Sequence, residues 1–180
     1  MKFDSQQVLD ALARERCPIS ALAAPREPGV YALFLNDKSL GRFRAGADGL
    51  VYVGTSENLA QRHFDTHFSS TGTGFSTVRR SFGAILKSKL QLKARARGRG
   101  LTRQDLLCYV FDSLGERRLT EWMERNVQVA VHPTRDATVA ETSLISFAEP
   151  LLNLTKWKNP YRTEIKRLRA ICVDEAGTHA

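Results

Sequence analysis

Two tyrosine-bearing tripeptides, one arginine, one glutamate and one asparagine are the residues of this sequence whose types and order could do chemistry. Residues 29–31 are Gly-Val-Tyr and residues 52–54 are Tyr-Val-Gly, followed along the chain by Arg62, Glu141 and Asn153. A carboxylate is a hard oxygen ligand that suits Mg²⁺, and a guanidinium group can bind an anion through two parallel hydrogen bonds. Each piece is weak alone, because such triplets in a valine-rich stretch more often form ordinary strands.

The order and spacing of these pieces carry a family resemblance. Arg62 follows Tyr52 by ten residues, and Glu141 precedes Asn153 by twelve. With the two tripeptides, this pattern resembles the GIY-YIG nuclease family over roughly residues 28–155. The segments 71–74, 77–81 and 119–123 are also similar to stand-alone bacterial members. The resemblance implies an endonuclease that hydrolyses phosphodiester bonds, with an α/β (α+β) fold in which helices flank a small three-stranded antiparallel sheet.

The resemblance also implies a role for each residue. Arg62 would lie on the first helix against the scissile phosphate, with Tyr31 and Tyr52 nearby, and Asn153 would steady the site through hydrogen bonds. Glu141 would hold one Mg²⁺ or Mn²⁺ ion. A phenol titrates near about pH 10, so Tyr31 could activate a water only beside a cation, and otherwise would orient it. The alternatives are strand packing for the tyrosines, an exposed helical arginine, and a turn-forming asparagine.

Two roles compete for Glu141. On a helix predicted over residues 139–149, it shares a side with apolar residues three, four and seven positions later, so it lies on the core-facing stripe. Residues 138–141, Thr-Val-Ala-Glu, also have the form of a capping box, in which the glutamate bonds back to the helix start. The family pattern favours metal ligation.

The residues after Arg62 depart from the family. Many members have a histidine or tyrosine one helical turn later, where this chain has Thr66. His67 lies about 140° around a helix from Arg62, and His63 about 100°, so either could substitute only if the helix begins or bends differently. Thr55 replaces a lysine of the repair-nuclease branch. These departures leave open a catalytically silent nucleic-acid-binding module of the same fold, for which His67 would be an ordinary packed histidine.

The chain is strongly basic. It has 27 Lys and Arg against 19 Asp and Glu, a net charge of +8 and a pI near 9.8, which favours an acidic polymer as partner. No acidic residue occurs from 66 to 104. We predict salt-sensitive binding of nucleic acid, with DNA favoured, through a basic insertion at about residues 76–104 that contains Arg79, Arg80, Lys87, Lys93, Arg95, Arg97, Arg99 and Arg103. For any single side chain, a solvated helix face is the alternative.

Other classes of protein fit less well. The three cysteines lack the spacing of a zinc site, and no apolar run approaches the length of a membrane span or a secretion signal. We therefore expect reduced thiols, no membrane partner and a cytoplasmic location. An RNA-associated basic protein is a third alternative, but the sequence lacks an aromatic-rich platform. A monomer or a homodimer is expected, the latter if both strands are cut symmetrically.

The length favours one domain. We predict an N-terminal helix and linker over residues 1–27, a catalytic domain over 28–155 and a basic C-terminal tail, partly helical, over 156–180. Hydrophobic periodicity predicts strands at 30–35, 50–53, 109–111 and 127–131. It predicts helices at 4–16, 57–68, 77–92, 119–125 and 139–149, and residues 94–102 are predicted to form a mobile basic loop.

Overall fold

A computed structural model describes residues 3–37, 39–60, 67–68 and 72–178. The chain forms two compact units, one of Met1–His63 with Glu124–Pro160 and the other of Phe64–Met123 with Tyr161–Ala180. No helix in the described ranges is long and apolar enough to cross a membrane.

The first unit contains a three-stranded antiparallel sheet. Its strands are β1 (Gly29–Leu35), β4 (Leu50–Ser56) and β7 (Val127–Pro133), in the order β4-β1-β7. Two helices accompany it, α1 (Ser5–Glu15) and α5 (Ala137–Ala148), and a small hairpin of β2 (Ser39–Leu40) and β3 (Phe43–Arg44) lies between β1 and β4 in sequence. The expected fold, a small antiparallel sheet flanked by helices, is confirmed.

Alternation along β1 builds the core of this unit. Val30, Ala32 and Phe34 point to one face, where they join buried residues of α1 and α5 such as Leu12 and Leu144. Residues one position away point to the other face. All seven residues of β1 are buried, as expected for a central strand with both faces covered.

The second unit is mainly helical. It contains α2 (Thr77–Leu90), β5 (Ala94–Arg95), α3 (Arg103–Leu107), β6 (Val110–Phe111), most of α4 (Ser113–Asn126) and α6 (Arg162–Thr178). β5 pairs with β6, and α6 packs against α2, α3 and β5. The cysteines are free, and burial raises the pKa of Cys172 to about 11, so that its thiol stays protonated at neutral pH.

A buried ion pair lies at the centre of the second unit. The Arg79 guanidinium donates to Glu116 Oε2 at 2.8 Å, and neither side chain is accessible to solvent beyond a few per cent. Arg79 also donates to Thr73 Oγ1 at 3.1 Å and to the carbonyl of His67 at 3.1 Å. Glu116 accepts from the Phe111 amide through its second oxygen at 2.9 Å. The pair is thereby surrounded by the hydrogen bonds that a buried charge requires.

Three sequence predictions need correction. α2 does not present all its basic residues outward, because Arg79 and Arg80 are buried. The helix predicted from residue 57 does not begin there, since residues 57–60 form a bend and a turn and the Ser56 hydroxyl bonds locally to Asn58. The helix predicted over 119–125 starts six residues earlier, at Ser113. By contrast, helices do occur close to the predicted ranges 4–16 and 77–92, and the side chains of Asp4 and Ser76 cap them.

Glu116→Ala is expected to destabilise the protein by about 3–5 kcal/mol, because it leaves the Arg79 charge buried without its carboxylate. The measurement is urea unfolding followed by circular dichroism. Glu164→Ala is the control, since it removes the partner of exposed Arg167 and should change the unfolding midpoint little. Equal midpoints for the two variants would contradict the importance of the buried pair.

Candidate active site

Tyr31 and Tyr52 lie side by side on neighbouring strands. Their ring centroids are 6.0 Å apart and the ring planes are inclined by 42°. In the antiparallel register Tyr31 lies opposite Gly54, and Tyr52 lies opposite Leu33. Both rings therefore point to the sheet face away from the α1 and α5 core. Tyr31 is fully buried, whereas Tyr52 is half-buried and reaches the surface.

The glycines of the two tripeptides are required by packing. A Cβ atom on Gly54 would lie 2.6 Å from both Cζ and the hydroxyl oxygen of Tyr31, so the absence of a side chain lets this ring lie across β4. A Cβ atom on Gly29 would meet the main-chain carbonyl of His132 and lie 2.8 Å from the Leu59 side chain. The pattern of glycine and tyrosine in the sequence thus reflects the packing of the Tyr31 ring against the backbone of Gly54, which has no side chain.

Asn153 binds the backbone of β4 between Tyr52 and Gly54. Its Oδ1 accepts from the Val53 amide at 2.8 Å, and its Nδ2 donates to the Val53 carbonyl at 2.9 Å. β4 is an edge strand, so the buried side-chain amide takes the place that another strand would fill. The Leu152 amide adds a bond to the Val51 carbonyl at 2.7 Å. Asn153 thereby fixes the backbone that carries Tyr52.

Two residues that the sequence analysis missed hold Asn153 in turn. Trp157 donates its indole N–H to the Asn153 carbonyl at 2.7 Å. Asn159 donates to the carbonyls of Leu151 at 2.7 Å and Asn153 at 3.2 Å. The only sequence signal was the Asn-Pro dipeptide at 159–160, which indicates a turn without naming its partner.

Glu141 does not cap its helix. α5 begins at Ala137, so Thr138 lies inside the helix, where its carbonyl accepts from the Thr142 hydroxyl. The capping-box alternative is therefore wrong. The Glu141 carboxylate, 17% exposed, instead forms an ion pair with Lys156. Lys156 is a further residue that sequence reasoning had assigned only to a basic tail.

The backbone of Lys156 has a left-handed conformation, with φ of 71°. Lysine carries a steric cost there that glycine would not, so the surrounding structure must hold it. The chain thus places an ammonium group on the Glu141 carboxylate at a local conformational cost. The position beside Glu141 accepts a cation.

The donor set at Glu141 fits some metals better than others. The described part of the chain has no cluster of three or more His, Cys, Asp or Glu side chains, as an all-protein zinc cage requires. Mg²⁺ is commonly bound by one or two carboxylates together with water and substrate phosphate oxygens. A single, partly buried carboxylate that already attracts a cation fits Mg²⁺ or Mn²⁺ of this kind.

Two other predicted site residues remain, and the structure describes one of them. Arg62 lies outside the described residues, as do His63 and Thr66. His67 belongs to the second unit and is buried, with Nδ1 2.7 Å from the Ser76 hydroxyl and its carbonyl bound by Arg79. These contacts are those of a packed histidine.

Comparison with known families agrees with the tyrosine geometry. The model of the GIY-YIG catalytic domain matches residues 29–171, which is most of the chain. The chain belongs to the GIY-YIG family. GIY-YIG domains are generally endonucleases that cleave nucleic acid and use divalent metal ions. The match begins at Gly29, the first residue of β1. No curated protein and no solved structure matches this chain.

Asn153→Ala is expected to destabilise the protein by about 1–3 kcal/mol for each of the two Val53 groups left unpaired. Chemical unfolding measures the loss, and hydrogen exchange should show faster exchange of the Val53 amide. Asn36→Ala is the matched control, because the side chain of that exposed asparagine makes one hydrogen bond among the described residues, to the Arg125 carbonyl. Similar losses in the two variants would show that the bridge to β4 contributes nothing particular.

Proposed function

We propose that this protein is a metal-dependent endonuclease that hydrolyses DNA at a single-metal site containing Tyr31, Tyr52, Arg62 and Glu141. The observation that carries the proposal is the Tyr31 ring laid across Gly54 beside Tyr52, in a chain of the GIY-YIG family. Nucleic-acid cleavage is the general activity of the family. The metal, the DNA substrate and the residue roles are our proposals.

The proposed site lies along the outer edge of β4. Tyr52 is on this edge strand, and the segment from Asn153 to Lys156 leads from its edge to Glu141. A phosphate at this edge could reach the half-buried Tyr52 from one side and the Glu141 carboxylate from the other. Asn153, which bonds this segment to β4, would act as a positioning residue.

Each side chain then has a distinct task. The Tyr52 hydroxyl donates a hydrogen bond to a phosphate oxygen, and the buried Tyr31 fixes the Tyr52 ring and orients the attacking water. Arg62 binds the phosphate through its planar fork and offsets the charge that develops there. Glu141 would hold the divalent ion, which would polarise the phosphate and assist the leaving oxygen. Lys156 would then be free to pair with a phosphate.

The basic surface of the second unit supports a nucleic-acid partner. Lys93, Arg95, Arg99 and Arg103 are exposed, and no ion pair is found for them among the described residues. Lys87 is paired with Glu175 at 2.9 Å, and Arg79 is buried with Glu116. These two residues therefore contribute less to the binding of a phosphate backbone. Exposed unpaired cations bind a phosphate backbone by releasing its counterions, independently of sequence.

A catalytically silent nucleic-acid-binding module is the second candidate. It is favoured by the Glu141–Lys156 ion pair, which occupies the carboxylate, and by the complete burial of Tyr31. In such a module, Lys156 would be a permanent substitute for the metal. The two candidates differ in whether the ammonium group can be displaced.

Glu141→Gln is expected to reduce cleavage of supercoiled plasmid in Mg²⁺ or Mn²⁺ by about a hundredfold or more, because an amide is a poor ligand for a hard cation. Gel analysis of initial rates measures the loss, and EDTA should abolish cleavage by the wild type. Glu149→Gln, at the exposed end of the same helix, should keep full activity. Binding of plasmid by the wild type without cleavage in either metal would favour the silent module.

Lys156→Met is expected to tighten Mn²⁺ binding severalfold, because the ion no longer competes with an ammonium group for Glu141. Electron paramagnetic resonance of free Mn²⁺ measures the affinity without any need for cleavage. Lys158→Met is the matched control, since it removes an exposed lysine two residues away. If both variants bind Mn²⁺ like the wild type, Lys156 does not compete at the metal position.

A further inference from the structure

Phe75 is the most exposed large apolar residue in the described part of the chain. It ends a short 3-10 turn, Thr73–Phe75, directly before α2, and 72% of its surface is accessible. Burial of a phenylalanine side chain stabilises a fold, and this ring makes little of that contribution. The ring is therefore accessible to a ligand.

The backbone that carries Phe75 is firmly held. The Phe75 amide donates to the Gly72 carbonyl at 3.0 Å, and the next amide donates to the Thr73 carbonyl at 3.2 Å. Thr73 is fully buried and bonded to the Arg79–Glu116 pair. Arg80 donates to the Gly74 carbonyl at 2.9 Å. A ring on so fixed a turn is preorganised, and a ligand that stacks on it need not first order the chain.

Arg97 stands beside the ring. Its guanidinium carbon is 5.1 Å from the Phe75 ring centroid, within cation–π range. A Cβ atom on Gly74 would lie 2.7 Å from Cδ of Arg97, so the glycine makes room for the arginine stem. The Arg97 amide donates to the Asp105 carbonyl at 3.1 Å, which anchors its backbone. Ring and guanidinium are thus set next to each other by main-chain contacts.

Three arginines, Arg80, Arg97 and Arg169, bring positive charge to the region of this turn. Among the residues that the structure describes, no carboxylate lies within ion-pair distance of Arg80, Arg97 or Arg169. Arg80 is buried. Within the described ranges its guanidinium bonds to neutral oxygens, and its Nε has no hydrogen-bond partner there. Burial lowers the pKa of Arg80, and the nearby charges of Arg169 and Arg97 lower it further. A buried guanidinium normally pairs with an anion, and here no carboxylate among the described residues supplies one.

We propose that the Phe75–Arg97 site binds an unpaired nucleotide of the nucleic-acid substrate, with the base stacked on Phe75 and a flanking phosphate on Arg97 and the adjoining arginine charge. This inference rests on the proposed nuclease function and names its substrate class. Stacking on an aromatic residue tolerates any base, because every base has a flat π face. Within a duplex both faces of a base are already stacked, so the site selects strands that are single or locally opened.

The test is fluorescence anisotropy with labelled oligo(dT), oligo(rU) and a blunt DNA duplex, all in EDTA. Phe75→Ala should weaken binding of oligo(dT) by about five- to hundredfold, the range for losing one base stack on an aromatic residue. Binding of the duplex should change by less than about twofold. Phe147→Ala removes another half-exposed phenylalanine, on α5, and should leave all three affinities unchanged. Equal loss for oligo(dT) and oligo(rU) would assign the site to both nucleic acids, and loss for one would assign it to that one.

Two further variants keep the outcome clear. Phe75→Trp should retain single-strand binding, and its fluorescence should be quenched by oligo(dT). Arg97→Lys keeps the charge but loses the planar fork, so it should weaken single-strand binding less than Arg97→Ala. Unchanged oligo(dT) affinity in Phe75→Ala, or a loss equal to that for the duplex, would overturn the inference. Because no metal is present, a protein that never cleaves would still show the Phe75 effect, which separates this failure from failure of the nuclease proposal.

Discussion

The outer edge of β4 has to find hydrogen-bond partners without a neighbouring strand, and the candidate site depends on how it does so. The side-chain amide of Asn153 offers one donor and one acceptor, as a residue of a neighbouring strand would, and both bond to the Val53 backbone. This bridge brings the chain after α5 back to the strand that carries Tyr52. It leads within three residues to Lys156, the partner of Glu141. The hydrogen bonds that complete one edge of a small sheet thus bring together residues from distant parts of the sequence.

Each unit also contains a large side chain whose burial determines what surrounds it. In the first unit the Tyr31 ring occupies the space above Gly54. In the second, the Arg79 guanidinium draws Glu116, Thr73 and the His67 carbonyl together. Polar groups tolerate such burial only with specific partners in specific directions, so these contacts favour one arrangement over others. Phe75 stays exposed on the turn that Thr73 anchors.

The sequence predicted the sheet well because strands 30–35, 50–53 and 127–131 are apolar runs whose burial follows from their composition. It also predicted the helices over 4–16 and 77–92, whose first turns are capped locally by Asp4 and Ser76. The sequence did not predict the features that depend on tertiary contacts. Arg79 has the composition of a solvated residue, and only the distant Glu116 explains its burial. Residues 138–141 match a capping box, but the helix starts two residues too early for it. Whether Phe75 is buried or exposed cannot be read from its type.

The position of α6 bears on how the protein is made. α6 packs against α2, α3 and β5. In sequence, however, residues 124–160 of the first unit lie between α6 and these three elements. During synthesis on the ribosome, the earlier part of the second unit therefore emerges long before its last helix, with the contact surfaces for Ile165, Cys172 and Ala176 uncovered. Contacts of such high sequence separation form slowly, because a long loop must close first. A chain interrupted before α6 would expose that apolar surface, which gives chaperones and proteases a means to recognise unfinished copies.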